Sequence, residues 1–260
     1  MSQYQLLPEV AERHNIFGTS RSGKSTHLDM EMRARQSERP EAWQLLLDTK
    51  PRFRAETERG ITPGSRRNAS WRYRAWSAGP VLPGSVLVNI WDDHPFRGLW
   101  KRPGEIAIMQ SGDHKDWLRM LELSMGFVRA QVGDTERHLT ADEVLDFYGR
   151  TTHSIKNAAD VFYLASRSGG ERMIGETLGA QRIHGIPIMI RNQATRQTLY
   201  QLEEEKDLGY LISNGIPHAS VPRQRFVFNQ WVKEPGGLFG PTFTGHLAVP
   251  QEYLDQLAKV

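Results

Sequence analysis

The stretch that most constrains what this chain can fold into is IFGTSRSGKST, residues 16–26. Gly18 is followed after four residues by Gly23, Lys24 and Ser25. A short apolar segment, HNIF, precedes the loop, and a run of good helix formers, STHLDMEMRARQ, follows it. An ordinary Gly/Ser turn would also join a strand to a helix, but it has no need of a lysine and a hydroxyl at the helix start. The spacing matches in full a loop that cradles phosphates. Glycines let the backbone curl so that several N–H groups converge on one anion. Lys24 would carry positive charge to the terminal phosphates, the Ser25 hydroxyl would ligate Mg²⁺, and the helix N-terminus adds its dipole. The candidate binding residues are Gly18, Thr19, Ser20, Arg21, Ser22, Gly23, Lys24, Ser25 and Thr26, with ATP and Mg²⁺ as the expected ligands.

The 260 residues suit one α/β domain, or one domain with a small extension. Hydrophobic content is 38% and the mean hydropathy is -0.54. No apolar run approaches the roughly 20 residues needed to cross a bilayer. The first residues, MSQYQLLPEVAERHN, have neither the basic flank nor the apolar centre of a secretory signal. With no cysteine, disulfides and thiolate metal sites are excluded. The net charge of +3 permits a polyanionic partner without demanding one.

Strand-like segments are HNIF, 43–50, 85–91, 105–110, 137–143, 176–182, 196–202 and 225–231. Helical patterns lie at 25–37, 113–131, 155–173 and 249–259. In 113–131, Trp117, Met120, Leu121, Met125 and Val128 recur at helical spacing. This alternation points to a mostly parallel sheet flanked by helices on both faces. Residues 1–234 read as one domain carrying an Arg- and aromatic-rich insertion at about 51–84. Residues 235–260 read as a loop-rich break and a final helix packed on that domain. Segment 51–76 holds seven Arg against two Glu, interleaved with Phe53, Trp71, Tyr73 and Trp76. That composition suits a surface meeting a phosphate backbone. For any single residue the better reading is a loop whose rings pack on the body while its arginines face water.

A phosphate loop alone leaves kinases, GTPases and ATPases open. Hydrolysis needs one carboxylate on a neighbouring strand for the Mg²⁺ shell and a second to activate water. HLTADEVLDFYG supplies adjacent acids at a strand end: Asp142 for the metal and Glu143 for the water. Asp92 and Asp93, after the more apolar strand SVLVNIW, are the competing pair. In ASRSGGERMIGETLGAQR a helix bearing Arg167 and Arg172 runs into a strand ending at Gln181. A polar side chain there can sense a γ-phosphate, and an arginine could reach a neighbouring subunit's site.

This order resembles the FtsK–HerA superfamily of DNA-pumping ATPases: phosphate loop, a strand ending in Asp48-x-Lys50, an Asp-Glu strand end, an Arg-rich helix and a GAQR strand. Within it, the chain is most similar to the genome-packaging ATPases of membrane-containing double-jelly-roll viruses. The resemblance covers roughly residues 10–215. It implies a RecA-like P-loop NTPase fold and a homo-oligomeric ring, a hexamer in many members, with ATP at the subunit interfaces. Double-stranded DNA would pass through the pore into a preformed capsid. Capsid vertex or portal proteins would be partners, and the host cytoplasm or a virion vertex the location. Lys24 and Ser25 would bind phosphate and Mg²⁺, Asp142 the Mg²⁺ shell, and Glu143 would activate water. Gln181 would sense the γ-phosphate, and Arg167 or Arg172 would act in trans.

Gln193, in GIPIMIRNQ, is a second candidate for the sensing glutamine. The nine histidines, among them His94, His114, His138, His153, His184 and His218, show no zinc-ligand spacing and read as scattered residues. LEEEKD (202–207) reads as a solvated helix start or loop. Rival functions are a plasmid or mobile-element DNA translocase, a P-loop kinase using 51–76 as a lid, and a virion structural protein with a vestigial site.

Overall fold

The computed structural model describes residues 10–59, 81–148, 160–165, 167, 173–234 and 236–247. Ten strands form one sheet: β1 Arg13–Phe17, β2 Trp43–Asp48, β3 Arg54–Arg59, β4 Val81–Val88, β5 Ile106–Gln110, β6 Arg137–Asp142, β7 Ile174–Ala180, β8 Arg196–Leu199, β9 Val227–Lys233 and β10 Phe239–His246. Their order is β10-β9-β8-β1-β7-β6-β2-β5-β4-β3. All pairings are parallel except β8–β9 and β9–β10. The expected α/β, mostly parallel architecture is present. β1, which leads into the phosphate loop, lies next to β7, and β7 lies next to β6.

Both faces of the sheet are covered, so successive strand residues enter opposite cores. Phe17, Leu45, Leu47, Ala107, Met109 and Leu139 pack on the face that carries helix α2, His114–Arg129, through Met120, Leu121 and Phe127. Ile16, Leu46, Leu87, Ile106 and Ile108 enter the other face, against Leu28 and Met32 of helix α1, Lys24–Glu38. The N-cap Asp113 accepts the Lys115 N–H at 3.0 Å and fixes the start of α2.

Helix α1 also buries polar side chains. Glu31 meets His14 of β1 at 2.9 Å and Arg35 at 3.2 Å, and it accepts the Thr177 hydroxyl of β7. His14 bonds Thr198 at 2.7 Å, His138 bonds Thr177 at 2.8 Å, and His27 bonds the Tyr200 hydroxyl at 2.9 Å. All these histidines are buried. Burial depresses His27 to about 3 and pushes His138 well below its ordinary value. Burial works the other way on Glu31, but His14, Arg35 and His138 together outweigh it and hold the carboxyl below the usual range. Burial raises Asp48 to about 7 and also raises Asp116.

These shifts fix how stability depends on pH. Between pH 6.5 and 4.5 the unfolded chain binds protons at His27 and His138 that the folded chain refuses, which destabilises the fold. Asp48 and Asp116 oppose this, because the folded chain keeps their protons to higher pH. Below pH 4.5 the unfolded chain also protonates Glu31, and the opposing pair fades as unfolded aspartates protonate near 3.8. A shallow decline to pH 4.5 and a steep one below it are expected, each uncompensated proton contributing about 1.4 kcal/mol per pH unit. Urea titrations followed by circular dichroism at pH 7, 5, 4 and 3.5 check this; a profile flat to pH 3.5 would refute it.

The structure differs from the sequence reading at the sheet edges. β3 lies inside the expected insertion, with Ala55 and the preceding Phe53 buried and Arg54 exposed. Phe53 packs inward and Arg54 faces water, whereas Arg52 turns back to Ser25; Trp71, Tyr73 and Trp76 lie outside the described residues. The loop-rich break expected after residue 234 instead holds β10, which pairs antiparallel with β9. LEEEKD leads into helix α3, Glu205–Ser213. Of the helix expected over 155–173, residues 160–165 and 167 are helical; that expected over 249–259 lies outside the described residues.

Candidate active site

β1 ends at Phe17, and the loop from Gly18 to Gly23 turns the chain directly into α1. A Cβ on Gly18 would lie 2.6 Å from both Ser22 Oγ and Tyr200 Cβ, so only glycine fits there. Gly23 sits at φ +119°, a conformation that a side chain would strain, with Phe226 and Tyr200 against it. The loop is fastened at its edges. Gly18 N–H donates to Ala180 O at 3.2 Å, Thr19 N–H to Gln201 O at 2.8 Å, and Phe226 N–H to Ser22 O at 2.8 Å. Arg21 takes a left-handed φ of 63° in the middle of the turn.

Lys24 folds back under the loop. Its Nζ donates to Gly18 O at 2.7 Å and to Thr19 O at 3.2 Å. Burial lowers its pKa, while Glu143 and Asp142 pull the other way. The Ser25 hydroxyl donates to Asp142, at 3.0 Å to Oδ2 and 3.3 Å to Oδ1. The loop serine and the acid at the end of β6 are thus brought together from 117 residues apart. A hydroxyl and a buried carboxylate are hard oxygen donors of the kind Mg²⁺ takes. A cationic group already lies against them: Arg52 Nη1 donates to Ser25 Oγ at 2.6 Å, and its Nε lies 3.7 Å from Asp142 Oδ2. The pair therefore fits a cation.

Glu143 follows Asp142 but leaves the strand in a left-handed turn, φ 63°. Such a conformation is uncommon outside glycine and is concentrated at functional sites. The turn carries its carboxylate across β7, where Oε1 accepts the Gln181 N–H at 3.1 Å. Lys50 Nζ stands 3.6 Å from Glu143 Oε2 and 3.5 Å from Asp146 Oδ2. Lys24, Ser25, Asp142, Glu143 and Gln181 accordingly meet at the carboxyl ends of β1, β6 and β7, where parallel sheets place their ligands.

The alternatives lie elsewhere. Asp92 follows β4, separated from β1 by four strands, and Asp93 lines a surface cavity of about 590 Å³ with Phe96, Arg97 and Glu122. Gln193 is exposed at the opposite end of the sheet, beside Thr195, whose N–H bonds Arg13 O at the start of β1. Arg167 is exposed, its guanidinium 6.0 Å from the Tyr163 ring centre. Arg172 lies outside the described residues. Sequence reasoning gave no role to Asp48 or Arg52. Asp48 is the register partner of Asp142, and its Oδ2 accepts Arg52 N–H at 2.8 Å, Phe53 N–H at 3.1 Å and Gln110 Nε2 at 2.7 Å. The strand end Asp48-x-Lys50 was legible as a motif, but nothing in it singled out Arg52 two residues on.

The geometry can be set beside solved structures. The DNA-packaging ATPase B204 of Sulfolobus turreted icosahedral virus superposes with a TM-score of 0.56 at 13% identity, covering 92% of this chain and 100% of that one. The chain has the fold of these ATPases. The genome packaging NTPase B204 of Sulfolobus turreted icosahedral virus 2, in complex with ATP-γS, gives a TM-score of 0.52 at 11% identity, covering 90% and 97%. EssC (ATPases 2 and 3) from Geobacillus thermodenitrificans gives 0.51 at 10%, covering 96% of this chain and 43% of that one. No protein-family model and no curated protein sequence matches the chain. No helix among the described residues is long and apolar enough to cross a membrane.

Proposed function

We propose that the chain is a genome-packaging ATPase, which hydrolyses ATP to drive double-stranded viral DNA into a preformed capsid. The observation that carries the catalytic part is the Ser25–Asp142 contact at 3.0 Å with Glu143 beside it. The fold shared with viral packaging ATPases supports the motor part.

In this reading the loop N–H groups and Lys24 hold the β- and γ-phosphates, and Lys24 exchanges its contacts with Gly18 O and Thr19 O for phosphate oxygens. Ser25 and Asp142 hold Mg²⁺, which when bound neutralises developing phosphate charge. Glu143, aimed across β7, takes the proton of the attacking water. Gln181 senses the γ-phosphate through its place against Glu143. Arg167 or Arg172 reaches the next subunit of a ring, six subunits being the expected number, and the ring docks at a capsid vertex. The ATPase domain takes in β10 as well, because that strand completes the sheet beside β9.

Product analysis separates this from a kinase. With ATP, Mg²⁺ and linear duplex DNA, the γ-phosphate is expected as free inorganic phosphate. Transfer to a DNA 5′-hydroxyl or to a small acceptor would contradict the proposal.

A further inference from the structure

Resting on the reading of this site as a nucleotide–metal centre, we propose that Arg52 is a built-in competitor for the divalent-cation position. Its guanidinium holds the Ser25–Asp142 pair, and a metal–nucleotide complex must displace it.

Three observations carry this. Arg52 engages the two side chains that would hold the cation, with Nη1 2.6 Å from Ser25 Oγ and Nε 3.7 Å from Asp142 Oδ2. A guanidinium is always charged, so held against the same hydroxyl and carboxylate it repels an incoming metal ion. The two cations therefore compete for the Ser25–Asp142 pair. Secondly, the arginine is placed there by the fold. Its backbone N–H is fixed at 2.8 Å by Asp48 Oδ2, and Asp48 pairs in register with Asp142 across β2 and β6. Thirdly, the side chain can leave. It is 37% exposed, whereas Asp142 is 1% exposed and stays in place.

The consequence is coupling between metal and nucleotide. A free divalent cation must expel a positive charge from the Asp142 carboxylate, which weakens its binding. A nucleotide brings phosphate charge that supplies a new partner for the displaced guanidinium. The site then takes up the metal with its nucleotide far better than it takes up the metal alone.

The test titrates Mn²⁺ into the nucleotide-free chain and follows free Mn²⁺ by electron paramagnetic resonance. Arg52→Gln is expected to tighten Mn²⁺ binding about tenfold. Arg52→Lys, which keeps the charge, is expected to stay within about threefold of the parent. A calorimetric titration of ATP at stepped Mg²⁺ should show the half-saturating Mg²⁺ concentration falling by about threefold in Arg52→Gln, less than without nucleotide because phosphate already draws the parent's guanidinium away, with no tightening in EDTA. A merely structural role would lower the melting temperature and leave the Mg²⁺ midpoint unchanged. Equal or weaker Mn²⁺ binding by Arg52→Gln overturns the proposal. If the parent binds ATP with Mg²⁺ and the variant shows the same midpoint, this inference alone fails. If the parent binds no ATP at all, the nucleotide–metal reading fails with it.

Discussion

Glu143→Gln is expected to bind ATP as the parent does and to lose turnover by about 10²- to 10⁴-fold, the usual contribution of a positioned general base. Binding survives because the carboxylate touches neither the loop backbone nor Ser25. It faces the Gln181 N–H and Lys50. An amide oxygen can still accept the Gln181 N–H, so the left-handed turn at residue 143 keeps its anchor while the proton acceptor is gone. Asp142→Asn would behave differently, because Asp142 contacts Ser25 directly and its loss weakens Mg²⁺-dependent binding as well as turnover. Equilibrium titration with ATP and steady-state phosphate release, run together, separate the two variants. Turnover of Glu143→Gln within threefold of the parent would remove Glu143 from the mechanism.

The second large effect lies beneath the site. Glu31→Leu is expected to destabilise the fold by about 3–5 kcal/mol, the range for breaking a buried charge pair from one side. The change leaves Arg35, fully buried, with Glu136 at 3.7 Å as its remaining acidic partner in the network. It also removes the acceptor shared by His14 and Thr177. Against a typical total of about 5–15 kcal/mol, this is a large share. Because α1 begins at Lys24, the loss reaches the phosphate loop, and the folded fraction able to bind ATP falls with it. Urea midpoints measure the change; a loss under about 1 kcal/mol would show that the network is dispensable. Glu31→Gln keeps an acceptor and should cost less, while flattening the acid limb below pH 4.5.

What the sequence revealed follows from where each signal is local. The phosphate loop is contiguous, so Gly18, Gly23, Lys24 and Ser25 could be read directly, and their need for a nearby carboxylate led to Asp142. Strand β6 looked weak because Arg137 and His138 interrupt its apolar pattern. In the fold Arg137 donates to the carbonyls of Phe127, Val128 and Ala130 at the end of α2, and His138 bonds Thr177. These bonds offset much of the cost of burying the two side chains. The His14–Glu31–Thr177–Thr198 network is held together by contacts across the whole chain, and no spacing rule predicts it. β3 and β10 escaped notice as edge strands, with mixed burial and, in β10, Gly240 and Pro241. Arg52 was absorbed into a basic run, where nothing distinguished it from the exposed Arg54. Its contact with Ser25 spans 27 residues and exists only because β2 ends beside β6.

The most direct test of the account is ATP turnover by the purified chain with and without linear double-stranded DNA, with Glu143→Gln run alongside. The account predicts phosphate release that rises with duplex DNA and vanishes in the variant. Phosphate release indifferent both to DNA and to the substitution would contradict it.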